Sequence, residues 1–155
     1  MAFFLLFFLG CFGQDTLQPD NRFVYTNNVQ VEILGVGALY SINYERTIVN
    51  NDRFKTMAQV GVSFWGNKSW KGFVIPVSMN ELISFNRHHI EIGASISPNY
   101  VWRDDNSKEW DYFMMARVGY RYQNPKKKFL FRAGYTPIIL PEVGSWGGIS
   151  FGYCF

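Results

Sequence analysis

Two adjacent histidines, His88 and His89, carry the most obvious chemistry in this chain. Neighbouring imidazoles suit a metal ion or a general base. On an extended strand, however, successive side chains leave opposite faces, so these two cannot chelate one ion together. A lipid hydrolase would need one of them beside a serine, with an acid orienting the ring. His88 has no identifiable serine partner, whereas His89 shares a face with Glu91 and is expected in a polar network there. The remaining motifs have plainer readings. Gly35-Val36-Gly37 lacks the third glycine and the following helix of a nucleotide site. Lys126-Lys127-Lys128 reads as a solvated turn, and Asn67-Lys68-Ser69 matches a glycosylation pattern by chance. Cys11 and Cys154 provide neither a disulfide framework nor a cysteine-rich metal site. The expectation is a non-catalytic protein without metal or cofactor.

A second kind of chemistry is spread along the chain. Glu32, Glu45, Glu91 and Asp111 are acids, and Lys55, Arg117, Arg121 and Arg132 are bases, each next to at least one apolar or aromatic residue. If all eight point to one interior, they balance and can pair, which is what makes charge tolerable in an enclosed space. Positioning them there requires elements of period two.

The sequence has that period. From Val29 onward, alternating segments are separated by clusters of Asn, Gly, Pro, Lys and Asp. The pattern predicts eight strands: Val29–Gly35, Leu39–Val49, Phe54–Trp65, Gly72–Met79, His88–Trp102, Trp110–Tyr122, Phe129–Ile139 and Ser145–Phe155. Seven result if Gly35-Val36-Gly37 is a bulge within one long strand. Sorted by parity, each strand has one apolar face and one face of small, polar or charged residues. In the segment Trp110–Tyr122, for example, Tyr112, Met114, Ala116, Val118 and Tyr120 oppose Asp111, Met115, Arg117, Gly119 and Arg121.

Alternation alone fits a soluble barrel with its apolar face inside or a membrane barrel with that face outside. Aromatic residues make 19% of the 155-residue chain and charged residues 17%, against roughly 25% charged in ordinary globular domains. Trp65, Trp70, Trp102, Trp110 and Trp146 all fall at strand ends that an up-and-down meander brings to one rim. Tyr44, Phe54, Phe85, Tyr122, Phe129 and Phe155 fall at the other. Such girdles mark the two interfaces of a bilayer-spanning barrel. A net charge of +3, without a clustered basic face, gives no reason to expect nucleic-acid binding.

The N-terminus reads as an export signal over residues 1–13, an uncharged apolar run followed by small residues. Phe8-Leu9-Gly10-Cys11 also resembles a lipobox, in which Cys11 would be acylated. A polar leader over 14–28 and a barrel domain over 29–155 follow. Termini in the periplasm require an even strand number, which favours eight. Asn50–Arg53, Asn80–Arg87 and Gln123–Lys128 become periplasmic turns; Gly66–Lys71, Arg103–Glu109 and Leu140–Gly144 become short external loops.

The run from Gly37 to Arg46, GALYSINYER, resembles the opening strand of a family of small outer-membrane β-barrel proteins of gram-negative bacteria. Ile75-Pro76-Val77, Gly119-Tyr120-Arg121-Tyr122 and the segment Phe131 to Pro137 are similar to it as well. The ending with Phe151, Tyr153 and Phe155 is similar to the terminal signal read by the outer-membrane barrel-assembly machinery. The resemblance implies a barrel and that assembly partner, and brings no catalytic residues.

The combined expectation is an all-β, antiparallel, up-and-down transmembrane β-barrel, monomeric, in the outer membrane among lipids and lipopolysaccharide. Lys68, Lys71, Arg103 and Lys108 are placed to meet lipopolysaccharide phosphates. Eight strands leave an interior that side chains can fill. A narrow porin-like pore and a soluble or lipid-anchored periplasmic barrel are the alternatives.

Overall fold

Two-residue periodicity dominates the backbone: among the described residues, every regular segment of the computed structural model is a β-strand. Residues 21–66, 70–103, 107–141, 144 and 146–155 are described, Trp70 through its backbone alone. The expected export signal, the first part of the leader and the Asn67-Lys68-Ser69 pattern lie outside the described residues.

The strands, in chain order, are Asn27–Leu34, Tyr40–Asn50, Phe54–Gly66, an interrupted fourth (Trp70–Val74 and Val77–Phe85), His88–Arg103, Lys108–Gln123, an interrupted seventh (Phe129–Tyr135 and Ile138–Leu140), and Gly147–Cys154. Both halves of the fourth lie between the third and fifth strands, and both halves of the seventh pair with the sixth. Proline causes each interruption, because Pro76 and Pro137 have no N–H for the ladder. Their carbonyls stay in it, accepting from Gly61 N–H at 2.9 Å and Ala116 N–H at 3.1 Å. Every neighbouring pair is antiparallel, and the first strand pairs with the eighth from Asn28↔Cys154 to Leu34↔Gly148. Eight strands therefore close into a barrel with no free edge. The start of the first strand and the C-terminus sit at one end, the terminus end, where Asn27 and Phe155 exchange backbone hydrogen bonds of 3.2 and 2.8 Å.

Two sequence-based boundaries need correction. The fourth strand continues to Phe85 instead of ending at Met79, so the expected Asn80–Arg87 turn shrinks to Asn86-Arg87. Outward Glu81 interrupts the apolar pattern there, although Asn80, Leu82 and Ser84 are buried at inward parity. Asn86 adopts φ 62°, a conformation asparagine tolerates better than most residues. The last part of the expected leader also belongs to the barrel, since the first strand starts at Asn27. Phe23 is buried at the terminus end, and its backbone exchanges hydrogen bonds of 2.9 Å with the Asn50 side chain.

Burial runs opposite to that of a soluble protein. Among the described residues, 24 polar or charged residues are buried against eight hydrophobic ones, while 36 large hydrophobics are exposed. Burying one such side chain is worth about 1.5–3 kcal/mol, so this outer wall suits an apolar solvent.

Inward glycines make room for the long polar side chains. Gly119 and Gly134 face each other across the sixth and seventh strands. A Cβ on Gly119 would stand 2.8 Å from the Ala133 carbonyl oxygen and 2.9 Å from Gly134 Cα, backbone that cannot swing away. Gly119→Val is expected to cost about 1–3 kcal/mol by overpacking, lowering the urea midpoint of the protein in detergent. Ala116→Val, outward on the same strand, is expected to change it by less than about 0.5 kcal/mol.

Candidate functional site

Three glutamates and three arginines meet in the middle of the lumen. Glu32 stands on the first strand, Glu45 on the second, Glu91 on the fifth, Arg117 and Arg121 on the sixth, and Arg132 on the seventh. All six are buried. Arg121 Nη1 reaches Glu45 Oε1 at 2.7 Å, crossing between strands on opposite sides of the barrel. Arg117 Nη2 reaches Glu32 Oε1 at 2.5 Å, and its Nη1 lies 3.6 Å from Glu91 Oε1. Arg132 sits within reach of all three acids, at 3.3 Å from Glu32, 3.1 Å from Glu91 and 3.6 Å from Glu45.

Neutral amides and hydroxyls complete the cluster. Asn28 Nδ2 donates to Glu45 Oε1 at 2.8 Å, and Ser150 Oγ to Glu32 Oε1 at 3.3 Å. Gln59 Oε1 accepts from Arg132 at 3.1 Å and from Gln30 at 3.2 Å, and Gln123 Oε1 accepts from Arg121 Nε at 2.8 Å. Arg guanidinium groups suit this role because their planar donor fork can bridge several carboxylates at once. Such pairs need not stabilise the fold relative to an apolar core, but an uncompensated partner would be strongly destabilising.

Lys55 lies apart from this cluster, near the terminus end. Its Nζ donates to Ser84 Oγ at 2.9 Å and to the Asp52 carbonyl at 3.2 Å, and stands 4.8 Å from the Phe23 ring centroid. Asp111 has lumen parity but is not buried in the lumen, which corrects its expected place. The sixth strand is 16 residues long, and Asp111 stands near its far end, exposed. Its Oδ1 accepts from the Tyr112 backbone N–H at 2.7 Å.

The two histidines separate as parity requires. His88 is outside, with Nδ1 2.6 Å from the Tyr120 hydroxyl. His89 is inside, but its partners are not Glu91. Its Nε2 lies 3.0 Å from the Gln123 carbonyl, which places the proton of a neutral ring there and leaves Nδ1 to accept from Ser84 Oγ at 2.9 Å. A serine and a base are thus in contact, a pairing invisible until the fourth strand is extended past Met79. Phe23 covers them, its ring edge-on to His89 at 5.3 Å, and the group orienting the imidazole is a backbone carbonyl instead of an acid. Among the described residues, no three His, Cys, Asp or Glu side chains are grouped to hold a metal. Cys154 is buried on the lumen side, where Gln123 Nε2 lies 3.5 Å from its sulfur.

Both mouths are narrowed by residues that strand parity does not reveal. At the terminus end Phe23 packs with Met57 and Leu82. At the far end, the first hairpin folds inward: Val36 is buried, and its carbonyl accepts from Ser97 Oγ on the fifth strand at 2.8 Å. Gly35 at φ 90° and Gly37 allow this, since a Cβ on Gly35 would lie 2.6 Å from the Glu32 carboxyl group.

The tryptophans divide between wall and mouth. Trp102 and Trp110 face outward in a cluster with Phe73 and Tyr100; Tyr100 and Trp110 have ring centroids 4.7 Å apart. Trp65 points inward, its Nε1 donating to Asn99 Oδ1 at 3.2 Å. Continuing the parity of Ser63 would have placed it there. It walls a vestibule of about 470 Å³ together with Asn99, Arg103, Glu109, Asp111 and Phe113. Trp146 is half-buried, and its carbonyl accepts from Thr136 N–H at 2.8 Å. The Trp70 side chain is outside the described residues. Phe151, Tyr153 and Phe155 are exposed on the outer wall, with Phe151 5.2 Å from Phe131 between ring centroids.

A closed barrel with a polar, ion-paired interior and an apolar exterior defines the class: an antiparallel, up-and-down transmembrane β-barrel. The fold is shared with a solved β-barrel domain. The N-terminal β-barrel domain of Pseudomonas aeruginosa OprF matches with a TM-score of 0.57 and 12% identity, covering 89% of this chain and 100% of that one. Ail, the attachment invasion locus protein of Yersinia pestis, solved with the heparin analogue sucrose octasulfate, matches with a TM-score of 0.49 and 13% identity. The match covers 85% of this chain and 100% of that one. No protein-family model and no curated protein matches the sequence.

Removing Glu45 leaves Arg121 without its carboxylate. Glu45→Ala is expected to cost about 3–5 kcal/mol, read as a lower urea midpoint in detergent. Glu45→Met combined with Arg121→Leu removes both charges and is expected to lose clearly less.

Proposed function

We propose that this chain is a small integral outer-membrane β-barrel with a structural or interaction role and a lumen closed to solutes. The observation that carries the reading is the crossing of the lumen by Arg121–Glu45 and by the contacts of Arg132 with three acids. A solute would have to break buried charge pairs to pass, and would still meet Phe23 at one mouth and Val36 at the other. The apolar outer wall argues for a bilayer around the barrel and against the soluble periplasmic alternative.

Two partner classes fit this reading. Lys71 and Lys108 are exposed at the end that carries Trp102 and Trp110, where they suit lipopolysaccharide phosphates. Arg103 stands at the same end but already has Glu109 at 3.3 Å, and Lys68 lies outside the described residues. The exposed aromatic residues of the last strand suit the outer-membrane barrel-assembly machinery. The Ser84–His89 contact does not favour an enzyme, because both side chains are buried beneath Phe23.

Planar-bilayer recordings on the refolded full chain test the proposal. No discrete conductance steps are expected at potentials that open known porins. Stable openings of uniform amplitude would establish the pore instead. Recovery of the chain in a soluble periplasmic fraction would reject the membrane reading.

A further inference from the structure

Two full charges face the wrong way. Arg46 on the second strand and Glu81 on the fourth point outward with exposed side chains, Arg46 one outward position past Tyr44 toward the terminus end and Glu81 two outward positions before Phe85. Neither side chain has a hydrogen-bond or ion-pair partner among the described residues. Charges on a lipid-facing wall destabilise a barrel in a depth-dependent way, and an ionisable group there calls for a functional explanation.

The register places the two at one level. Arg46 is directly across from Ala58, and Ala58 from Met79; one outward position below Ala58 is Thr56, which pairs with Glu81. Strands in a closed barrel tilt, so direct partners change height from strand to strand. The sense of tilt follows from the register. Stepping from Tyr40 through Ile33 and on around the barrel returns to the second strand near its terminus end. Partners therefore descend in that direction and rise from the second strand through the third to the fourth. Met79 then sits above Arg46, and stepping down one outward position to Glu81 restores the level.

We infer that this face, centred on the third strand, is the contact surface for a second copy of the chain in the membrane. The inference rests on the proposal that the outer wall faces lipid. Two copies inserted in the same orientation are related by a two-fold axis along the membrane normal, which brings only equal heights together. Arg46 lies to one side of the third strand and Glu81 to the other, so each meets its opposite in the partner, twice. Side-chain size agrees with the curvature. Thr56 and Ala58 are short and half-buried along the line where the cylinders touch, while the longer charged side chains flank it, where the walls diverge.

Disulfide formation at Thr56→Cys tests the inference, using purified full chain with Cys11 and Cys154 replaced by serine, refolded into phosphatidylethanolamine–phosphatidylglycerol vesicles. Folding is checked by heat-modifiable gel mobility. A species of twice the monomer mass is expected under oxidation, with Val118→Cys on the far wall giving at least tenfold less. Arg46→Glu or Glu81→Arg added to Thr56→Cys is expected to reduce the dimer about tenfold, and both together to restore it. Energy transfer between two labelled populations of otherwise unchanged chain must follow the same order. Absence of dimer and of transfer in folded samples would overturn the inference, as would a dimer insensitive to charge reversal; the first result would point to lipid headgroups as the partners of these charges. If the chain fails to enter vesicles at all, the membrane reading itself falls.

Discussion

The ion-paired cluster of Glu32, Glu45 and Glu91 with Arg117, Arg121 and Arg132 is the constraint around which the barrel is organised. Six charges taken out of bulk water need opposite charges and hydrogen-bonding groups close by. That requirement explains why so many of the other lumen positions are amides, hydroxyls and glycines, with apolar Met57, Leu82, Met115 and Leu130 among them. Gln59 stands between Gln30 and Arg132, Ser150 beside Glu32, and Gly61 and Gly93 beside the Asn43 and Asn80 amides. An interior of this composition has little hydrophobic driving force of its own. The apolar area lies on the outside, so the protein depends on its solvent in the way a soluble domain depends on its core.

Backbone closure follows from the same logic. In a bilayer no water is available to satisfy an open sheet edge, and pairing the first strand with the eighth removes that edge. Pro76 and Pro137, each lacking a donor, interrupt their strands while their carbonyls remain bonded. Sealing the ends falls to residues outside the regular ladder. Phe23 arrives from the chain preceding the first strand, and Val36 from a hairpin tip made flexible enough by Gly35 and Gly37. The polar network is thus enclosed along its whole length by features of three different kinds: wall, plug and cap.

Side-chain parity, a local property of the extended backbone, carries most of what the amino-acid sequence reveals. It puts Glu32, Glu45, Lys55, Glu91, Arg117, Arg121 and Arg132 on one face before any coordinate is known. It says nothing about where along the barrel axis a residue lies. Asp111 shares that face yet projects past the packed section. Trp65 has inward parity, but its position at a strand end suggested the girdle. The end of the fourth strand was obscured because Glu81 puts a charge on the apolar face, in a segment already rich in turn-forming residues. Phe23 and Val36 belong to no alternating segment, and only the folded chain brings them to the mouths. His89 sits among Ser84, Gln123 and Phe23 because of cross-strand register, which sequence spacing does not encode.

The central claim is the inversion itself: charged side chains inside, apolar side chains toward lipid. Nitroxide labels placed singly at successive positions from Met114 to Arg121, in the full chain refolded into vesicles, test it most directly by their collision rates with oxygen and with a water-soluble nickel complex. Period-two alternation is expected, with even positions accessible to oxygen in the bilayer and odd positions shielded from both reagents. Even positions exposed to the nickel complex and shielded from oxygen, or an accessibility without alternation, would contradict it.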